Sequence, residues 1–155
     1  MLRGAAGRRA FGLLLVAAAL LGLSSVEAHA SPYDEAIGRA LRLLPRQPEK
    51  IVVVERPDAT RLHKGKPNVE AYINQGGGVV FLVRQGGTLQ GALKGPGIFD
   101  YALAAIIWHE MAHIDGADEP AAQRAEERLW REFILARRVE SRQGMRYLAL
   151  LHNRR

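Results

Sequence analysis

The sequence predicts a single α+β domain in which a small sheet of about three strands packs on a long buried helix and on a second helix folded back antiparallel to it. Three observations carry this expectation. Short runs rich in β-branched residues recur at 50–55, 69–74 and 79–84, residues 98–114 are apolar almost all round, and residues 120–139 place apolar and charged side chains with helical periodicity. A length of 155 residues allows one compact domain. With 48% apolar and 25% charged residues, the chain has the balance of a globular protein that buries a core.

Residues 1–30 stand apart from that core. Arg3, Arg8 and Arg9 precede an unbroken apolar run over residues 11–23, and Ala28-His29-Ala30 supplies a small-x-small cleavage site. This is the three-part pattern of a secretory signal peptide, with an apolar run too short to span a bilayer. The expected product is an exported chain, periplasmic or secreted, that begins at Ser31 and keeps no stable membrane anchor. Arg8-Arg9 also resembles a twin-arginine signal, so the export route stays open. Losing three arginines and Glu27 with the leader takes the formal net charge from +6 to +4. The remaining basic residues are scattered and aromatic residues make up only 6%, so no nucleic-acid partner is expected.

Along residues 31–155, Ser31-Pro32-Tyr33-Asp34 opens a helix with a serine cap, proline in the first turn and an acid three residues on. Ile37, Leu41 and Leu44 supply its apolar face, and Pro45 and Pro48 end it. Ile51, Val52, Val53 and Val54 read as a buried strand. Residues 56–67 form a polar loop that contains His63. The alternation of Val69, Ala71 and Ile73 with Glu70, Tyr72 and Asn74 predicts an edge strand, joined through Gly76-Gly77-Gly78 to the continuously apolar Val79-Val80-Phe81-Leu82-Val83, which belongs inside the sheet. Residues 86–97, rich in glycine, read as a loop with a hairpin around Thr88-Leu89.

Residues 98–114 predict a helix buried in the middle of the domain, capped near its start by Asp100 and stopped by Gly116 in the left-handed conformation. The following helix, over about 120–139, presents Ala122, Leu129, Phe133 and Ala136 inward and Arg124, Glu127, Arg128 and Arg131 outward. A short last helix covers residues 145–151.

The chemistry concentrates in His109-Glu110-Met111-Ala112-His113. Histidines four apart leave a helix on the same face one turn from each other, so two imidazole nitrogens can meet one tetrahedral zinc ion. Glu110, rotated by about 100° from His109, stands beside such an ion and can act as the base that takes a proton from an activated water. The string arises by chance in roughly one chain of this size in two hundred. With no cysteine in the chain, any metal must be held by His, Asp or Glu. A third ligand is still needed. If the next helix folds back about Gly116 and Ala117, Glu119 and Glu126 flank the point facing the two histidines, one as ligand and the other as a hydrogen-bond partner of a histidine. His63 and His152 are the remaining histidines outside the leader.

On these residues the chain resembles the zincin metallopeptidases over about residues 69–126. His109-Glu110-Met111-Ala112-His113 matches the zincin helix in full, and the strands flanking Gly76-Gly77-Gly78 are similar to the edge strand and its neighbour that precede that helix. Glu119-Pro120-Ala121-Ala122-Gln123 is similar to the Glu-x-x-Ala-Asp of gluzincins, with Gln123 in place of the usual acid. The interval from His109 to Glu119, including Gly116, also has the spacing of the metzincin motif, with glutamate in place of its last histidine. The gluzincin resemblance implies His109, His113 and Glu119 as zinc ligands, Glu110 as catalytic base, and a peptide or protein substrate held along the edge strand. It also implies a tyrosine or histidine that stabilises the oxyanion, for which Tyr147, His152 and Tyr72 are candidates. A zinc-binding module without turnover is the competing class, and Glu110, which a purely structural site does not need, favours the enzyme.

Overall fold

A computed structural model describes residues 31–56, 69–74 and 77–152, the His152 side chain excepted. The readings of residues 1–30 as a signal peptide and of His63 as a loop residue lie outside the described residues. Within them the chain is α+β, with five helices and one three-stranded mixed sheet. No described helix is long and apolar enough to cross a membrane.

Helix α1 (Pro32–Leu41) starts as its sequence dictates: Ser31 Oγ accepts from the Asp34 N–H, and the Asp34 carboxylate accepts from the Ser31 N–H in return. Strands β1 (Lys50–Val54), β2 (Ala71–Ile73) and β3 (Val79–Val83) follow in sequence but lie in the order β1-β3-β2. β1 runs parallel to β3, and β2 antiparallel to it. The apolar β3 is central, as expected, and β2 is an edge strand, although only three residues long.

Two expectations fail here for physical reasons. Among the described strands β1 is not buried but the other edge of the sheet, and its valines are half-covered. Its unbroken apolar run reflects two partly covered faces: Ile51 and Val53 pack on the main core, while Val54 joins a smaller cluster with Tyr72, Val83, Val69 and Phe81. Residues 86–97 are not an open loop or hairpin, because Gly87–Ala92 forms helix α2 with Thr88, Leu89, Gly91 and Ala92 buried. Gly91 is a packing residue there. A Cβ at this position would lie 2.4 Å from the Phe99 ring, so the glycine lets α2 approach the next helix.

That helix, α3 (Ile98–Ile114), is the axis of the domain. Leu103, Ile107 and Met111, one turn apart, are at most 1% exposed, and each contributes on the order of 1.5–3 kcal/mol by leaving water. With that row committed to the core, His109 and His113 emerge on another face. The start of α3 is held by Asp100, which accepts from the Gly97 N–H and pairs through both oxygens with Arg39 Nε of α1, each at 3.1 Å. Arg39 also donates to the Ala92 carbonyl at the end of α2. One partly buried ion pair therefore ties together the ends of three helices.

At its other end α3 closes with two reversed bonds, Gly116 N–H to the His113 carbonyl and Ala117 N–H to the Ala112 carbonyl. This pattern requires a left-handed residue, and Gly116 has φ +88°. Helix α4 (Glu119–Leu135) then begins with Asp118 capping the Ala121 N–H. It buries Ala122, Ala125, Glu126, Leu129, Trp130 and Phe133. Ala136 was expected on that seam and is exposed instead, because α4 stops at Leu135 and Arg137 turns the chain with φ +56°. Helix α5 (Ser141–His152) is longer than the sequence suggested and packs back on α4.

Candidate metal centre

The site is built where α3 and α4 diverge from the Gly116 turn. His113 Nδ1 lies 2.9 Å from the Ala117 carbonyl, and His109 Nδ1 lies 3.1 Å from Glu126 Oε2. A carbonyl can only accept, so His113 must carry its proton on Nδ1. A carboxylate likewise only accepts, so Glu126 sets the same tautomer on His109 through Oε2, while its Oε1 accepts from the Tyr147 hydroxyl at 2.8 Å. With Nδ1 so engaged in each ring, both turn their Nε2 atoms to the same side.

Those two Nε2 atoms are 3.1 Å apart. Glu119 closes the triangle, with one oxygen 3.6 Å from His109 Nε2 and the other 3.3 Å from His113 Nε2. Three acceptors thus converge with no protein donor among them. Such an arrangement repels itself unless a proton or a cation sits between the groups. The groups also stand close enough to share a small ion: with ligand bonds of about 2.0–2.2 Å, ligand atoms stand about 3.3–3.6 Å apart, and the 3.1 Å between the two Nε2 atoms would open slightly around it. Among the described residues this is the only convergence of three or more His, Asp or Glu side chains.

The two acids named from sequence are therefore brought to different sides of the histidines. Glu119 faces the Nε2 atoms and is 73% exposed, which leaves the convergence open to solvent on its flank. Glu126 is 6% exposed and holds His109 from behind. Gln123, which departs from the gluzincin pattern, takes no part in orienting a histidine among these contacts and donates to the Leu151 carbonyl at 2.9 Å.

Charge follows the same plan. Burial opposes protonation of His109, but the hydrogen bond and charge of Glu126, with Glu110 and Glu119, outweigh it and hold this imidazole above its ordinary value. Burial pushes the Glu110 carboxyl up to about 7, against the opposing pull of His109 and His113. Glu110 thus shares the local field of both histidines and both other acids.

Of the oxyanion candidates, Tyr147 directs its hydroxyl to Glu126, and Tyr72 is a buried ring stacked on Phe81 at 5.0 Å. The side chain of His152 lies outside the described residues. Sequence reasoning did not find the Ala117 carbonyl or the Tyr147 hydroxyl as partners of this site. The first is a backbone atom, and the second stands 21 residues from its acceptor. Comparison with known proteins finds no matching family model, no matching curated protein and no matching solved structure, so the chemistry rests on these side chains.

Proposed function

We propose that this chain is an exported zinc-dependent hydrolase of the zincin type that cleaves peptide bonds. The observation that carries the reading is the convergence of the His109 and His113 Nε2 atoms and the Glu119 carboxylate, at 3.1, 3.3 and 3.6 Å. His109, His113 and Glu119 would hold the ion. Zinc bound there supplies Lewis acidity and brings the ionisation of water close to neutral pH. Glu110 takes up the proton released from the attacking water, since it lies on the same helix as the ligands and is not needed to hold the metal.

Two further features support an open, catalytic site over a closed, structural one. Three protein ligands would leave a bound zinc open to water, and the exposure of Glu119 puts solvent beside the cluster. β2 is bonded to β3 on one side only among the described strands, and it packs on α3. In this reading an extended peptide substrate would lie along β2. The antiparallel edge strand and its neighbour precede the site helix in sequence, with the short α2 between, as the zincin resemblance leads one to expect.

The test is metal analysis of purified protein together with hydrolysis of a mixed peptide library by wild type and Glu110→Gln. One zinc per chain is expected in both proteins, with hydrolysis reduced about a hundredfold or more in the variant. A protein that takes up no zinc, or a variant as active as wild type, would overturn the reading.

A further inference from the structure

Among the described residues, helix α5 is joined to α4 by side-chain hydrogen bonds that fall in antiparallel register. Gln123 donates to the Leu151 carbonyl, Tyr147 donates to Glu126, and Trp130 donates through its indole N–H to the Gly144 carbonyl. Positions 123, 126 and 130 lie on one face of α4. Their partners 151, 147 and 144 run down one face of α5. The outer two bonds end on backbone carbonyls and do no more than dock the helices. The middle one ends on Glu126, whose other oxygen holds His109.

We infer that Tyr147 is a positioning residue for the metal centre, acting through Glu126 to fix the ring of His109. The inference rests on the metal reading above and deepens it. Glu126 has two oxygens and two neighbours that need them. With Tyr147 Oη donating at 2.8 Å to Oε1, Oε2 is left to accept from His109 Nδ1 at 3.1 Å. Without the phenol, nothing holds Oε1 in place, the carboxylate can rotate, and the His109 ring loses its fixed tilt. The phenol is itself held firmly. Its ring stacks on Trp130 at 4.0 Å and 29°, and Trp130 is fully buried. The chain Trp130, Tyr147, Glu126, His109 therefore carries the rigidity of the core to one ligand, while His113 takes its own lock from the Gly116 turn. Partners of ligating histidines commonly set metal affinity by ten- to a hundredfold. A group one bond further out should be worth about three- to tenfold.

Tyr147→Phe removes the hydroxyl and keeps the stacked ring, so the full chain should fold with an unchanged circular dichroism spectrum. Zinc affinity is measured by competition with a chromophoric chelator for wild type, Tyr147→Phe, Glu126→Gln and the double variant. Nitrogen-edited NMR of the metal-free proteins reads the His109 Nδ1–H resonance. Action through Glu126 requires that Tyr147→Phe weakens zinc several-fold in the wild-type background, adds nothing in the Glu126→Gln background, and broadens the Nδ1–H resonance. Affinity equal to wild type, or a loss of the same size in both backgrounds, would overturn the inference. Should wild type bind no zinc, the metal reading fails by itself, and an Nδ1–H resonance unchanged in Tyr147→Phe would overturn the positioning role as well.

Discussion

On the proposed zinc reading, removal of the metal should unfold this protein at a markedly lower temperature, because His109, His113 and Glu119 come from two helices and repel one another when nothing lies between them. His109 and His113 belong to α3, and Glu119 is the first residue of α4. An ion held only by the folded state adds about 2.7 kcal/mol when its free concentration is one hundred times the dissociation constant. Roughly 125 residues beyond the expected leader, each gaining about 2.1 cal/mol/K on unfolding, give an unfolding entropy near 0.26 kcal/mol/K. The quotient is a fall of about 10 °C in Tm. Calorimetry of the protein with a controlled excess of zinc, and again after chelation and gel filtration, measures it directly. Glu119→Gln, run in parallel, should start near the chelated value and respond weakly to added zinc. A fall of less than ~2 °C, once analysis has shown the metal gone, would refute a site that bridges the two helices.

Other perturbations test the division of labour and the packing around it. Glu119→Gln should weaken zinc by more than the ten- to hundredfold that outer partners command, whereas Glu126→Gln should stay within that range; equilibrium dialysis against buffered zinc separates the two, and the opposite ranking would reverse the assignment. Gly91→Ala brings a Cβ to 2.4 Å from the Phe99 ring, and overpacking of about 1–3 kcal/mol exceeds the gain in helix propensity of up to about 1 kcal/mol, so urea unfolding should show a net loss near 1 kcal/mol. Arg137→Gly relieves a left-handed backbone at φ +56° and should raise the urea midpoint by the equivalent of about 0.5–1 kcal/mol with the m-value unchanged.

What could be read from the chain was whatever depends on local order. The four-residue spacing of His109 and His113, the apolar run around them and the glycine at 116 specify a buried helix, the face its histidines share and the turn that ends it. Ser31 and Asp34 specify a cap in the same way. The central place of β3 followed from an unbroken apolar pentapeptide, but the same signal misled at β1, since a strand with two partly covered faces needs apolar residues on both whether or not it lies at an edge. Helix α2 was hidden by glycine. Gly87 and Gly91 mark an open loop by composition, yet the latter is small because Phe99 presses on it, and no local pattern announces a neighbour eight residues on.

The separate roles of Glu119 and Glu126 show where local reasoning stops. Seven residues are two helical turns, so both acids leave α4 on one face about 10.5 Å apart, and sequence alone lets either of them reach the histidines. The antiparallel return of α4 decides between them. His113 lies next to the turn and finds the Ala117 carbonyl behind its ring, and Glu119, just past the turn, is left to face the Nε2 atoms. His109 stands one turn further back along α3, where the turn supplies no carbonyl, and the residue opposite it is Glu126. Each imidazole is thus fixed at Nδ1 by whatever the hairpin sets behind it, and each offers Nε2 to the same point. That outcome depends on a turn of fixed length between Ile114 and Glu119. Lengthening it by one residue would rotate α4 by about 100° and carry both acids off the histidines together. The Gly116 turn is therefore as much a part of the candidate centre as the side chains that line it.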